Sequence, residues 1–314
     1  MAALFALVLA VFAGFAAQRG SICAVAAVRD LILRRSARRY LAFLEASLWT
    51  LATLGVLSHF MTAPIPADDD ATLLSAFGGA LFGIGAVVNG ACAFGSAARL
   101  ARGELSFLFM PAGMIAGAHL ASLAIPAPAP IAHAALNAPL LALALVFFVG
   151  WRVFGAIDKL NSLAALRRRL LAEEWSPGAA MAAIGISSAL LTAVFAPWPY
   201  STLLVEIAAG GHAMDQLKRA FVALSFVAGA WLAARLSGAV DLVAPRVFPL
   251  LQKFGGGALM GAGAFLAPGG NDALVLGAMP NLFVYGFIAY GAMTAAIAVL
   301  VLIERRLTPA PRPA

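Results

Sequence analysis

Charge is scarce in this sequence. Asp, Glu, Lys and Arg together make up 11% of its 314 residues, while 63% are apolar. Soluble domains are about a quarter charged, so a globule of this length could not be coated in polar groups. Cysteine is scarcer still. Cys23 and Cys92 are the only two, and by themselves they form neither a disulfide framework nor a four-ligand zinc site. His59, His119, His133 and His212 sit near the ends of apolar runs without metal-ligand spacing, so no metal is expected. No Walker loop, dinucleotide fingerprint, HExxH or GxSxG segment occurs. Nothing in the sequence therefore points to ATP driving, to hydrolysis or to a cofactor.

The few charges lean basic, with a formal net charge of +7 and a pI of about 10.1. That balance alone would suit nucleic acid. The basic residues, however, fall in short clusters between apolar runs, the pattern of loops beside membrane spans rather than of a phosphate-binding face. A nucleic-acid partner is excluded on that ground; the expected surroundings are a lipid bilayer.

What the chain has in abundance is apolar length. Mean hydropathy is +0.95, and an apolar run of about 20 residues crosses the hydrocarbon core as a helix. Nine runs are read as spans: 2–34, 40–62, 72–101, 105–125, 131–152, 177–209, 217–235, 254–278 and 281–303. The first seventeen residues resemble a signal-peptide core, but no positive charge precedes them, so they are read as part of the first span. Four runs are interrupted: at Gln18-Arg19-Gly20-Ser21, at Asn89-Gly90-Ala91-Cys92, at Pro197-Trp198-Pro199 and at Pro268-Gly269-Gly270-Asn271. The fold class expected is an all-α polytopic membrane protein of about nine spans, four of them broken at the midplane. The segment 155–176 reads as an amphipathic linker and 236–253 as a shorter amphipathic stretch.

Lysine and arginine asymmetry sets the expected orientation. With the Arg34–Arg39 cluster in the cytoplasm, alternation also places inside Arg99/Arg102, the 155–176 linker, 236–253 and the C-terminus, and leaves the N-terminus outside. The chain also repeats itself. Residues 79–86 (GALFGIGA) match 257–264 (GALMGAGA) at six of eight positions, an offset of 178 residues that carries Cys92 onto Gly270 and Cys23 onto Ser201. That period holds five spans, an odd number, so the copies must run in opposite directions. Residues 1–125 and 177–314 are read as inverted repeats, with 126–176 as an extra span and linker. Inverted repeats with broken helices are a recurring transporter plan.

A helix that starts inside a bilayer has unpaired N–H groups and a positive dipole end, tolerated only where it lines a cavity. Several such starts converging on one point attract an anion; the alternative is ordinary kinks in ordinary spans. Cys23 and Cys92 each begin a helix after a break. A thiol there has a lowered pKa and hydrogen-bonding capacity, although each also fits as a small buried apolar residue. Arg19 lies beside the first break. An arginine deep in a bilayer costs roughly 2.5–3.5 kcal/mol, so it faces a cavity or snorkels to an interface. Asn89, Gly90, Ser201, Thr202, Gly270, Asn271 and Asp272 are candidates to line the passage or to cap its helices.

These segments carry a likeness. Residues 14–30 (GFAAQRGSICAVAAVRD) resemble the first signature of the YeeE/YedE family of sulfur-compound transporters, and 83–103 (GIGAVVNGACAFGSAARLARG) are similar to the second. Residues 197–202 (PWPYST) and 261–271 (GAGAFLAPGGN) resemble the third and fourth, so the likeness spans about residues 5–300. It implies uptake of thiosulfate or a related small sulfur-containing anion across the bacterial inner membrane, by hydrogen bonding to thiols along a central path. Cys23 and Cys92 are the matching thiols. The family's third cysteine falls at Gly270 and is missing, which brings other sulfur oxyanions or sulfide into play; some relatives are linked to selenium. A cysteine restored at Gly270 is expected to raise thiosulfate uptake if the position faces the path. The likeness also implies hand-over to a small cytoplasmic sulfur-carrier protein. Two rival classes fit the same residues: a membrane redox or sulfur-transfer enzyme cycling Cys23 and Cys92, and a passive channel for a neutral solute.

Overall fold

The computed structural model of the chain describes residues 2–58, 60, 68–69, 73–126, 130–131, 139–157, 172–195, 198–210 and 213–307. Among the described residues the architecture is helical, apart from a two-residue antiparallel pairing of Asp68–Asp69 with Pro130–Ile131 and a single parallel bridge between Glu104 and Val243. The antiparallel pairing joins two of the loops at one end of the bundle.

The interruptions in the sequence become ends and restarts of helices. Helix α1 (Ala2–Arg19) stops where Ser21 takes φ +49°, and extended Cys23 starts α2 (Ala24–Leu33). After α3 (Arg38–Leu57), α4 (Leu73–Asn89) ends at Gly90, whose φ of +82° suits a residue without Cβ. Extended Cys92 then starts α5 (Ala93–Ala101), and a 3₁₀ turn leads into α6 (Phe109–Ala124). Beyond α7 (Pro139–Ile157), Ser176 caps α8 (Pro177–Val194) by accepting the Ala179 N–H at 3.3 Å, with Pro177 at the first helical position. Helix α9 (Tyr200–Ala208) starts after Pro199, and the turn before it is anchored by Trp198, whose Nε1–H donates to Ser188 Oγ at 2.9 Å. Helices α10 (Ala213–Leu236) and α11 (Val247–Leu266) follow. The chain then turns through Gly269 and Gly270 into the single helical turn α12 (Asn271–Ala273), the π-helical turn Leu274–Ala278 and α13 (Val284–Leu307).

Helices α4 and α11 pack against each other at the centre. Gly78 and Gly85 of one face Gly256 and Gly263 of the other, and a Cβ on any of them would lie 2.5 or 2.6 Å from a backbone nitrogen across the contact. Small residues at such positions let helix backbones touch where no water drives them together. On its other side α4 packs against α13, with Gly79 and Gly83 against the backbone of Ala289 and Met293. Likewise α11 packs against α6, with Gly257 and Gly261 against Met110 and Met114. Around this centre α1 packs on α10 and α8, and α3 on α8. Helix α7 lies against α3 through Arg152–Glu45 (2.5 Å) and the Trp49–Phe148 ring pair (5.4 Å).

The outer surface is apolar, with Leu73, Leu120, Phe147 and Phe154 exposed. Polar Asn89, Ser201, Asn271 and Asp272 are buried. That reversal of the soluble pattern belongs to a multi-pass membrane protein. Among the described residues seven helical stretches are long and apolar enough to cross a membrane. The expected nine counted two more. The run 131–152 falls partly outside the described residues, and the run 254–278 is shared between α11 and the turns after it. Helix α11 is rich in glycine and carries Lys253, and with neighbouring helices on both sides it needs less apolarity than a lipid-facing span.

Candidate functional site

The two cysteines, far apart in sequence, meet. Cys23 and Cys92 both occupy the position just before a helix, with extended backbones (φ −156°, ψ 124° and φ −76°, ψ −178°). Cys92 Sγ accepts the N–H of Ala24, the first residue of α2 and the neighbour of Cys23, at 3.0 Å, which brings the two cysteines side by side. Each sulfur therefore sits in the positive field of a helix start. Gly95 makes the approach possible: a Cβ there would lie 2.7 Å from Cys23 Sγ. Cys92 is fully buried, whereas Cys23 is partly open.

The opening at Cys23 is a cavity of about 500 Å³. Ser21, Cys23, Gly90 and Gly95 line it, together with Arg29, Arg39, Arg99 and Arg102. Arg29 pairs with Glu304 (2.7 Å), Arg39 with Asp30 (2.6 Å) and Arg99 with Glu104 (3.4 Å). The lining is basic, with carboxylates beside it.

From the second half, Gly270 occupies the position before α12 with φ −80° and ψ −176°, nearly the backbone of Cys92. Its N–H donates to Ser201 Oγ at 3.1 Å. The Ser201 hydroxyl donates to Asp272 Oδ1, and the Ser201 N–H to Asp272 Oδ2 at 3.2 Å. The halves join at Ala93, beside Cys92. The Ala93 N–H donates to Asn271 Oδ1 at 3.2 Å, and its carbonyl accepts the Tyr200 hydroxyl at 2.5 Å.

Asn89 holds the loop that presents Cys92, its Nδ2 donating to Ala91 O (2.7 Å) and Ser96 Oγ (2.8 Å). Lys253 Nζ in turn donates to the Asn89 carbonyl at 2.5 Å and lies 4.7 Å from the centre of the Phe107 ring. Three buried polar atoms around this centre have no partner among the described residues: Asn89 Oδ1, Asn271 Nδ2 and Tyr290 Oη. Buried polar groups are nearly always paired, so these three atoms are free to take a further hydrogen bond.

Of the residues singled out in the sequence, Cys23, Cys92, Gly90, Asn89 and Asn271 come together, with Ser201 and Gly270 one layer behind. Thr202 follows Ser201 and is half-buried. Arg19 goes elsewhere. Its Nη1 donates to the Glu173 carbonyl at 3.0 Å, its guanidinium stacks on Phe15, and it does not line the cavity. At Gly270 the space is tight: a Cβ there would lie 2.7 Å from Ser201 Cβ and 2.8 Å from the Phe82 ring. Ser201 already fills that space. Tyr200, Lys253, Gly95 and Tyr290 join the site without being candidates from the sequence; Tyr200 lies inside the PWPYST segment and Gly95 inside residues 83–103, whereas Lys253 and Tyr290 lie in neither.

A family model for sulphur transport matches residues 19–299 of the chain. No curated protein matches it.

Proposed function

The chain belongs to this sulphur-transport family, and from that premise we propose that it is a permease carrying thiosulfate or a related small sulfur-containing anion across the bacterial inner membrane. The carrying observation is the meeting of both cysteines at helix starts, beside a basic-lined cavity. A dehydrated anion needs donors fixed in place before it arrives. Thiol S–H groups, Asn271 Nδ2 and the N–H groups of α2 and α5 supply them without a strongly basic residue that would hold the ion too tightly. The ion reaches buried Cys92 first, passes to Cys23, and leaves through the cavity toward Arg29, Arg39, Arg99 and Arg102. No bond to sulfur forms in this sequence. At the mouth a small sulfur-carrier protein would receive the ion.

The same reading takes the two halves as an inverted repeat of nine spans, four of them broken. What supports it is an exchange of partners: shifting residue numbers by 178, upward from the first half and downward from the second, turns the α4–α13 contact into the α11–α6 contact, and α1–α10 into α8–α3. The α4–α11 and α1–α8 contacts map onto themselves.

One observation favours a second reading. The two cysteines are neighbours in the fold, Cys92 Sγ accepting the N–H of the residue after Cys23, and a dithiol–disulfide cycle would use that pair. Uptake of labelled thiosulfate, sulfite and sulfide into sealed vesicles separates the two. Accumulation without loss of free thiol supports the permease; a mixed disulfide trapped during turnover supports the enzyme.

A further inference from the structure

Moving an anion into a cell runs against a membrane potential that is negative inside, so accumulation requires a coupled cation or another source of work. This inference rests on the transport reading above and concerns its energy source. We propose that Asp272 is a proton-binding site that couples anion uptake to the proton gradient.

Asp272 is 1% exposed, and no basic group pairs with it among the described residues. An ionisable side chain buried in a membrane protein without a counter-charge is expensive, and such residues mark proton relays and ion pathways. Its surroundings contain little else that titrates. On α9, Tyr200 commits its hydroxyl to Ala93 O, and Glu206 pairs with Arg219. On α5, Arg99 pairs with Glu104, and Cys92 precedes the helix. The turn Leu274–Ala278 carries no titratable group. Cys23 lies beyond Cys92.

The hydrogen bonds supply the coupling. As drawn, both Asp272 oxygens accept from Ser201, through its hydroxyl and its N–H, and Ser201 Oγ accepts from Gly270. This is the arrangement of an ionised carboxylate, which can only accept. On protonation, Asp272 donates to Ser201 Oγ instead, and the serine hydroxyl hydrogen must turn away. That frees the serine hydroxyl to donate elsewhere, while a negative charge one residue from Asn271 disappears. Both changes strengthen anion binding, so proton and anion each raise the other's affinity, as linkage requires. The proton enters and leaves with the anion and no bond besides O–H is made or broken.

The test uses the purified full-length protein in liposomes with labelled thiosulfate outside and a pH-sensitive dye inside. An acidic exterior should raise wild-type accumulation roughly tenfold or more, and the interior should acidify in step with uptake. Asp272→Asn should lose the response to the pH gradient, read on whatever exchange of labelled for unlabelled thiosulfate it retains; Asp272→Glu should recover part of the response. Uptake by the wild type with no acidification overturns the proposal, as does a wild-type gradient response in Asp272→Asn. If Asp272→Asn loses exchange as well, the wild-type dye trace and Asp272→Glu decide. A wild type that carries no sulfur anion under any gradient overturns the transport reading instead.

Discussion

Cys92 holds its sulfur against the Ala24 N–H at 3.0 Å, fully buried and beside Cys23. In a hydrogen-bond relay, Cys92→Ala removes a donor facing a dehydrated anion. Such a bond is worth about 1.5–3 kcal/mol, roughly a ten- to hundredfold loss of uptake. Serine keeps a donor, though a shorter one, so Cys92→Ser should retain part of the activity. In a redox or persulfide mechanism serine is as inactive as alanine, because no sulfur remains to oxidise. Labelled-anion uptake at matched expression decides, and equal, complete loss in both variants sinks the relay. Gly270 permits a second comparison. With Ser201 Cβ and the Phe82 ring inside 3 Å of any Cβ there, Gly270→Cys should lower thiosulfate uptake. The double change Gly270→Cys with Ser201→Gly should recover more than the single one. An increase in Gly270→Cys alone would show that the site has room after all.

At the scale of elements, turn chemistry inside apolar runs was legible and its surroundings were not: helices end or start beside Gly20-Ser21, Asn89-Gly90, Trp198-Pro199 and Pro268 to Gly270. Lys253 is the contrary case. By composition it closes an amphipathic stretch at 236–253, yet α11 runs through it from Val247 to Leu266 and leaves it 8% exposed. Periodicity cannot foresee this, because the partner that draws the ammonium inward is a backbone carbonyl 164 residues away. Tyr290 was hidden for a similar reason: in an apolar helix it looks like packing, and only its missing hydrogen-bond partner sets it apart. Lys253 and Gln252 together cover the C-terminal carbonyls of α4, at Asn89 and Val88. Lys253→Met keeps the stem and loses the cap, leaving the Asn89 carbonyl without that donor. The expected cost is about 1.5–3 kcal/mol, visible as a lower melting temperature in detergent and as weaker uptake, since the loop carrying Cys92 loses an anchor. Unchanged stability would mean that the ammonium contributes nothing at this end of α4.

For the molecule as a whole, charge and contact agree about which ends lie together. The backbone after α5 pairs with the loop after α10, Asp241 N–H donating to Arg102 O at 2.8 Å and Val243 N–H to Gly103 O at 3.1 Å. Arg29 of α2 reaches Glu304 near the end of α13 at 2.7 Å. At the other end Asp68–Asp69 pairs with Pro130–Ile131, and His119 Nδ1 lies 3.2 Å from Ala208 O. Basic Arg34, Arg35, Arg38, Arg99, Arg102, Arg305 and Arg306 fall on or next to the first set of segments, and the second set carries few. Lysine and arginine are retained on the cytoplasmic side of a membrane, so the first set should be inside. Reporter fusions after Arg35, Gly103, Gly238 and Leu307 are then expected to read cytoplasmic, and fusions at Ile125 and Gly210 external. This pattern also orients the two halves oppositely, because Gly210 follows α9 and Arg34 follows its counterpart α2, and the two fusions must report different sides. The same side for both would make the halves parallel and remove the inverted repeat. It would also dissolve the symmetry argument that sets Ser201 and Gly270 opposite Cys23 and Cys92.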